Sequence, residues 1–336
     1  MSDTRITIAE IAAMAGVSEP TVSKVLNGRK GVSETTRSAV LQLIDETHYR
    51  RPGTTRRRTV GLIDFVVRHL DTIWAMPLVQ GAENEAAKSG ISLVVTSMHG
   101  RRVGNRHWIQ HLASRRTDAV VLVVSELAPG AEEELSRLNT PVVLVDPVGT
   151  ANPTMPSITA TNRLGGYTAT QHLIELGHRR ISCITGPEDV FCAQERLVGY
   201  REALIRAGIT PNPAWERYGD FMAPGGQAGA ASLLDMAEPP TAIFAGTDQQ
   251  AGGVYREAAR RGLRIPDDLS VVGFDDLAVG EWLTPPLTTI RQPLEDMARV
   301  AIRTALSMVK QGSNPRSRVA LKTSLVVRES TAPVSK

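Results

Sequence analysis

Thr7-Ile8-Ala9-Glu10-Ile11-Ala12-Ala13-Met14-Ala15-Gly16-Val17-Ser18-Glu19-Pro20-Thr21-Val22-Ser23-Lys24-Val25-Leu26-Asn27-Gly28 is the stretch on which the N-terminal fold turns. Thr7 and Glu10 stand at the spacing of a capping box, in which each side chain satisfies a free amide of the other's turn. Ile8, Ile11, Ala12 and Ala15 recur at helical spacing, and Gly16 ends the helix where a left-handed residue is wanted. Ser18 caps a second helix, Glu19 to Leu26, and Pro20 is tolerated there because a first-turn amide has no intrahelical partner. Asn27 to Gly31 reads as a loop. Ser33 caps a third helix that runs to about His48, with Val40, Leu41 and Ile44 as its buried side. Two short helices joined by a tight turn, with a third behind, form the helix-turn-helix pattern, whose second helix lies in the major groove of DNA. Spacing alone equally admits a small helical cap on an enzyme.

Charge favours DNA. Residues 1–59 carry ten Lys and Arg against six Asp and Glu, whereas the remainder of the 336-residue chain holds 28 basic and 29 acidic residues. Cations gathered at one end point to a polyanion partner. A hydrophobic content of 42% with 22% charged residues is globular composition, and the length fits two or three domains. No apolar run reaches the ~18 to 20 residues that span a bilayer, so no membrane partner is expected. Met1-Ser2-Asp3-Thr4-Arg5 lacks the basic and apolar regions of a secretory signal, which predicts a cytoplasmic protein. Cys183 and Cys192 then read as reduced thiols.

From Val60 the pattern changes to short apolar runs alternating with amphipathic helical stretches. The runs are Val60 to Val67, Ile91 to Thr96, Ala119 to Val124, Val142 to Val145, Ile181 to Thr185, Ala242 to Ala245 and Leu269 to Phe274. Helical segments between them include Met76 to Lys88, Arg163 to Leu176, Arg196 to Ala207, Gln227 to Met236 and Gln249 to Arg261. Such alternation predicts an α/β fold of two doubly wound parallel-sheet lobes behind the three-helix headpiece. Ligands of open α/β sheets bind beyond the carboxyl ends of the strands, so facing lobes would share a cleft.

The headpiece stretch, followed by V-S-E-T-T-R at 32–37 and H-Y-R at 48–50, resembles the DNA-binding headpiece of the lactose-repressor (LacI/GalR) family. The resemblance implies that Glu19, Pro20 and Lys24 stand at base-reading positions, and that Thr7, Ser18, Thr21, Ser23 and Asn27 hold phosphates. The chemistry agrees, since hydroxyls at helix N-termini fix register on phosphates and a Lys can donate to guanine. Family members usually continue with a hinge helix that wedges a Leu into the minor groove. Here the segment is Arg51-Pro52-Gly53-Thr54-Thr55-Arg56-Arg57-Arg58-Thr59, shorter and without Leu. It is better read as a basic arm, with Arg56, Arg57 and Arg58 against phosphates or the minor groove.

The rest of the chain is similar to the sensor core of the same family, itself similar to periplasmic sugar-binding proteins. The likeness is carried by H-L-I-E-L-G-H-R-R-I at 172–181, E-R-x-x-G-Y-R-E-A-L at 195–204, T-A-I-F-A-G-T-D-Q-Q-A at 241–251, I-P-D-D-L-S-V-V-G-F-D-D at 265–276 and P-P-L-T-T-I-R-Q-P at 285–293. It implies a headpiece at 1–50, a basic linker at 51–59, a first lobe at 60–159 plus 291–318, and a second at 160–290 plus 319–332. It also implies a sugar-responsive repressor; helix-turn-helix proteins of this geometry bind palindromic operators as homodimers, and the first lobes are expected to pair with Met76 to Lys88 in the contact.

Several side chains fall at or just after strand ends, where the cleft would lie. Asp275 is the foremost, because a carboxylate can accept from two sugar hydroxyls at once. Asp248 with Thr247 before it, and Asp146, follow strands in the same way. Arg196 is read as starting a helix and offering its donor fork, while Trp74 and Phe221 are candidates to stack on a pyranose. The segment Ile63-Asp64-x-Val66-Val67, with Leu70-Asp71 and Trp74-Ala75, resembles repressors of oligosaccharide or pentoside utilisation, so cellobiose, xylose or xylobiose is the expected effector. Gly165-Gly166 and Gly225-Gly226 lack phosphate-loop spacing and read as turns and helix starts. The seven histidines show no metal spacing, and no cofactor is expected. Two rivals are a sugar-binding protein serving transport and an intracellular sugar enzyme with a helical appendage. The basic headpiece opposes the first, and absence of sugar turnover would dismiss the second.

Overall fold

The computed structural model describes residues 6–26, 31–47, 59–70, 72–99, 106–123, 130–147, 155–311 and 317–334, in two units, Met1–Thr59 and Val60–Lys336. In the first unit α1 (Ile8–Met14), α2 (Glu19–Leu26) and α3 (Glu34–Glu46) follow the expected order. The capping box forms: Glu10 N donates to Thr7 Oγ1 at 3.3 Å, and Thr7 N donates to Glu10 Oε2 at 2.6 Å. Gly16 adopts φ +62°, and Ser33 Oγ accepts from Thr36 N at 3.2 Å. Ile11, Ala12, Val22, Val25 and Val40 make the small core. Leu41 does not belong to it. That side chain is 49% exposed, because one helical step of about 100° from Val40 carries it off the inward stripe.

Along the second unit the chain forms β1 (Leu62–Val67), α4 (Ala75–Lys88), β2 (Ser92–Ser97), α5 (Arg106–Arg115), β3 (Ala119–Val123), α6 (Ala131–Arg137), β4 (Val142–Val145) and β5 (Ser157–Ala160). It continues with α7 (Asn162–Glu175), β6 (Ile181–Thr185), α8 (Phe191–Arg206), β7 (Glu216–Tyr218), α9 (Ala223–Leu234), β8 (Ala242–Ala245), α10 (Asp248–Arg260), β9 (Ser270–Asp275), α11 (Ala278–Trp282) and β10 (Thr288–Arg291). Last come α12 (Leu294–Gln311), β11 (Arg318–Leu321) and β12 (Ser324–Val326). Two sheets result, ordered β11-β5-β4-β3-β1-β2 and β12-β10-β9-β8-β6-β7. Every pairing among the described residues is parallel except β10 with β12. Continuous runs such as Ala119–Val123 are buried at every position, as strands covered on both faces require. Both sheets reverse direction of strand order beside their first strand, between β1 and β3 and between β6 and β8. Each lobe therefore opens a crevice at the carboxyl end of its own switch point.

The chain crosses between lobes after β5, after β10 and after β11. Thr161 and Thr323 tie two of these crossings together through their hydroxyls at 2.9 Å, and Thr323 N also donates to Thr161 Oγ1 at 3.0 Å. Strand pairing keeps Ala160 and residues 319–321 in the first sheet, so the boundaries expected at 159 and 318 move outward. Gly165, Gly166, Gly225 and Gly226 lie near the starts of α7 and α9, as helix starts and not as turns. A Cβ on Gly166 would collide with the Arg196 backbone carbonyl, and one on Gly226 with that of Gln250. Glycine there lets α7 lie close on α8 and α9 on α10, which sets α8 and its Arg196 at the crevice.

The C-terminal segment is strapped to the second lobe by two histidines. His178 bonds Thr241 Oγ1 at 2.9 Å through Nδ1 and the Ala332 carbonyl at 3.0 Å through Nε2, while His172 Nε2 meets Thr331 Oγ1 at 2.9 Å. Burial holds both imidazoles below their usual value of 6.5. The unfolded chain therefore binds more protons than the folded one as pH falls below about 6.5, and stability declines in that direction. The melting midpoint should fall less between pH 7.5 and 5.5 in His178→Gln than in the unsubstituted protein; equal falls would show that His178 does not sense pH.

Candidate functional site

The two crevices face each other across a cavity of about 440 Å³. The first lobe contributes Val67, Arg68 and His69 from the end of β1, Thr72, Trp74 and Ala75 at the start of α4, Val123 from β3 and Asp146 beyond β4. The second contributes Pro187 and Val190 after β6, Cys192 and Arg196 on α8, Asp220 to Met222 after β7, Thr247 and Gln249 after β8, and Asp275 ending β9. An apolar wall with a few convergent polar groups is the composition of a small-molecule site.

Asp275 stands apart among these groups. It is buried, and neither carboxylate oxygen has a hydrogen-bond partner. Leaving a buried polar atom unpaired costs about 1–3 kcal/mol, more for a charged group, a deficit that a hydroxyl-bearing ligand removes. Arg196 Nη2 is 3.8 Å from Asp275 Oδ1. Burial pushes the Asp275 carboxyl well above its ordinary range; the Arg196 charge opposes this, and the Asp248 and Asp146 carboxylates add to it. Three lining residues other than glycine, Asp146, Phe221 and Asp275, have left-handed φ of +44°, +68° and +114°. Such conformations cost of order 1–3 kcal/mol each and gather at ligand clamps.

Arg196 is in the second turn of α8, because the helix begins at Phe191 and not at the arginine itself. Its Nε donates to Asn162 Oδ1 at 2.9 Å, Nη1 to the Gly246 carbonyl at 2.5 Å and Nη2 to Gln292 Oε1 at 3.2 Å. The guanidinium also lies over the Phe274 ring, 3.7 Å from its centroid. Gln292, in the second crossing between lobes, turns its Nε2 to Asp146 Oδ2 at 2.9 Å. Asp146 accepts a further bond from Thr159 Oγ1 at 2.8 Å, and burial raises its carboxyl. Arg196, Gln292 and Asp146 thus form a bonded bridge from one lobe to the other beneath the cavity. Sequence reading missed Gln292, since a residue between strand and helix carries no periodic signal. It also missed His69 and Arg68, which the strand-end rule applied to β1 would have found.

Asp248 is not at the cavity. Its oxygens accept from Leu277 N at 2.6 Å and Thr289 Oγ1 at 2.5 Å, and it is fully buried, so the first residue of α10 points into the lobe. Thr247 lines the cavity, but its hydroxyl is engaged, accepting from Gln250 N at 3.0 Å and donating to the Phe221 carbonyl at 2.8 Å. It thereby caps α10 and fixes the loop that carries Phe221. The Phe221 ring packs where a Gly186 Cβ would stand, and Trp74 precedes α4 on the opposite wall. Asp64, by contrast, is buried within β1 and pairs with Arg115 at 2.7 Å. Both cysteines are free, Cys183 buried in the core and Cys192 at the cavity. Among the described residues no three of His, Cys, Asp and Glu gather as metal ligands.

In the first unit α2 buries Val22 and Val25 and exposes Glu19, Pro20 and Lys24, with Pro20 and Lys24 one turn apart on the outer face. Ser18 Oγ and Thr21 Oγ1 meet at 2.9 Å at its start, while the Thr7 hydroxyl is held by Glu10 at 2.9 Å. Ser23 is half-buried. Asn27, Arg56, Arg57 and Arg58 lie outside the described residues.

A helix-turn-helix unit joined to a two-lobed binding unit defines a ligand-controlled DNA-binding protein. Residues 7–52 match the family described as "Bacterial regulatory proteins, lacI family", and residues 170–331 match "Periplasmic binding protein-like domain". The chain is 32% identical over 331 residues to the HTH-type transcriptional repressor PurR of Photobacterium profundum, covering 96% of this chain and 98% of that protein. It is similar to the transcriptional regulator CelR in its cellobiose complex, with a TM-score of 0.75, 33% identity, and coverage of 97% and 100% of the two chains. It is also similar to the lac repressor dimer bound to operator and the anti-inducer ONPF, with a TM-score of 0.71, 28% identity, and coverage of 98% and 100%. The chain belongs to the lacI family of bacterial transcription regulators and is a repressor, not an enzyme.

Proposed function

We propose that the protein is a carbohydrate-responsive repressor that holds a palindromic operator as a homodimer in the cytoplasm and releases it when a small neutral sugar fills the inter-lobe cavity. The observation that carries the effector reading is Asp275: two unpaired, buried acceptor oxygens call for a ligand rich in hydroxyl donors. Trp74 and Phe221 supply faces for the apolar side of a pyranose. Cellobiose, xylobiose and xylose are the effectors proposed, and the likeness to the CelR–cellobiose complex supports a β-linked disaccharide among them.

Sugar that binds both lobes favours a closed arrangement, and only unequal affinity for the two arrangements can shift DNA binding. The first lobes are proposed to pair through Met76 to Lys88, a reading supported by the exposed Leu70, Ile73 and Met76 at and before the start of α4. On the DNA side Glu19, Pro20 and Lys24 are assigned to base edges and Thr7, Ser18, Thr21, Ser23 and Asn27 to phosphates, with Arg56, Arg57 and Arg58 in the linker.

The deciding experiment is a mobility shift of the full chain with DNA from upstream of its own gene, repeated with cellobiose, xylobiose, D-xylose and a nucleobase. Salt-steep binding, from counterion release, that a sugar reverses is the expected outcome. Tighter binding with sugar would reverse the sign, and a response to the nucleobase alone would overturn the carbohydrate reading. Lys24→Ala should weaken operator binding by about 1–3 kcal/mol and relax preference at one base pair, as read by fluorescence anisotropy on single-base operator variants. Unchanged preference would remove Lys24 from the base-reading set.

A further inference from the structure

We propose that Arg328, in the segment after β12, is a positioning residue for effector recognition: it clamps Asp276 and so aims the Asp275 carboxylate into the cavity. This rests on the reading of Asp275 as the effector's acceptor. Arg328 is absent from the cavity lining, so it acts through another residue and not by contact.

Asp275 and Asp276 are consecutive non-glycine residues at φ +114° and +61°. Two adjacent left-handed residues do not hold themselves, and the bonds that hold them can be traced. The Asp275 carbonyl accepts from Gln292 N at 3.2 Å, and Leu277 N donates to the buried Asp248 at 2.6 Å. Between these anchors the Asp276 carboxylate accepts from Arg291 Nε at 2.6 Å and from Arg328 Nη2 at 2.7 Å. Every anchor spares the Asp275 side chain, which is why both its oxygens stay unpaired in the cavity.

The two arginines are not equivalent. Arg291 is 57% exposed in its side chain, whereas Arg328 is 14% exposed and the Asp276 carboxylate 9%. An ion pair shielded on both sides is screened less than one open to solvent. Arg328 is also fixed at its other donors: Nη1 gives to the Leu287 carbonyl at 2.8 Å and its backbone N to Thr288 Oγ1 at 3.0 Å. Arg328 therefore joins the C-terminal segment, the residues entering β10 and the end of β9, its Nη2 also reaching Glu281 Oε1 of α11 at 3.1 Å. Preorganisation of this kind lowers what a ligand must spend on ordering its acceptor.

The test uses the full-length dimer, with cellobiose, xylobiose and D-xylose as calorimetric probes. Arg328→Gln should weaken binding of whichever sugar the unsubstituted protein takes by roughly tenfold to a hundredfold, the range that the cost of one left-handed residue spans at about 1.4 kcal/mol per factor of ten. Operator affinity without sugar should stay as it was. Arg328→Lys, which keeps one charged donor, should fall between. In an Asp275→Asn background Arg328→Gln should add little, because a residue acting through Asp275 has nothing left to position. Additive losses, or full-strength sugar binding in Arg328→Gln, would overturn the proposal; if that variant does not fold, Arg328→Lys carries the same cycle. Should none of the sugars bind the unsubstituted protein, the effector reading falls by itself. A ligand-free crystal structure of the variant then decides the positioning claim, which requires Asp275 to leave its left-handed conformation.

Discussion

Asp275→Asn is expected to shift release of operator DNA by sugar to concentrations roughly a hundredfold higher. The substitution keeps size and shape, yet replaces one of two acceptor oxygens with a donor and removes the charge that strengthens hydrogen bonds from ligand hydroxyls. Hydrogen bonds to a charged acceptor contribute about 1.5–3 kcal/mol each and neutral ones about 0.5–1.5, so losing one bond and neutralising the other weakens binding by roughly a hundredfold. The variant should also be at least as stable as the parent, because a buried carboxylate raised well above its ordinary range is an unfavourable ion in the empty cavity. Isothermal calorimetry with sugar, and anisotropy on operator DNA with and without it, read both halves. A normal sugar response in Asp275→Asn would mean the recognition point lies elsewhere on the cavity wall.

The contrast between Asp275 and Asp248 shows what a sequence can and cannot disclose about such a site. Both follow short apolar strands, and both are read on the same rule as facing the cleft. At Asp275 the rule leads to the cavity because β9 carries one residue past its last hydrophobic position and the backbone turns left-handed there. At Asp248 a helix begins at once, with Thr247 as its cap, and the helix start swings the carboxylate back toward Leu277 and Thr289. Those partners come 29 and 41 residues later, and no local pattern announces them. Gln292 is illegible for the same reason, since its role is to join Arg196 and Asp146, which lie on different lobes. The architecture fared better. Capping box, left-handed Gly16 and alternating strands and helices are local devices, and local devices are what single-sequence reading detects. Where the chain returns between lobes is a tertiary matter, and the first lobe accordingly ends at Leu321, three residues beyond the expected boundary.

Arg196→Met is expected to cost the sensor unit about 3–5 kcal/mol, the usual penalty for removing one partner of a buried ionic group. The side chain is nearly fully buried, so solvent cannot replace what is lost. Asn162, Gln292 and the Gly246 carbonyl lose donors, and Asp275 and Asp146 lose a charge that lowers both their carboxyls. The pH dependence follows with a definite sign. Without Arg196 both carboxyls rise further above the unfolded value of 3.8, so the folded state holds protons that the unfolded chain has released. Stability from a carboxyl raised in this way is greatest at low pH and is lost as pH rises through the folded value. Thermal denaturation of Arg196→Met should therefore show a larger deficit against the parent at pH 8 than at pH 5.5, with a midpoint lower by on the order of 10 °C at the higher pH. Adding Asp275→Asn should restore part of that deficit, since the uncompensated charge is then gone. An equal deficit at both pH values, unrelieved by the second substitution, would mean that packing against Phe274, not charge, is what Arg196 supplies.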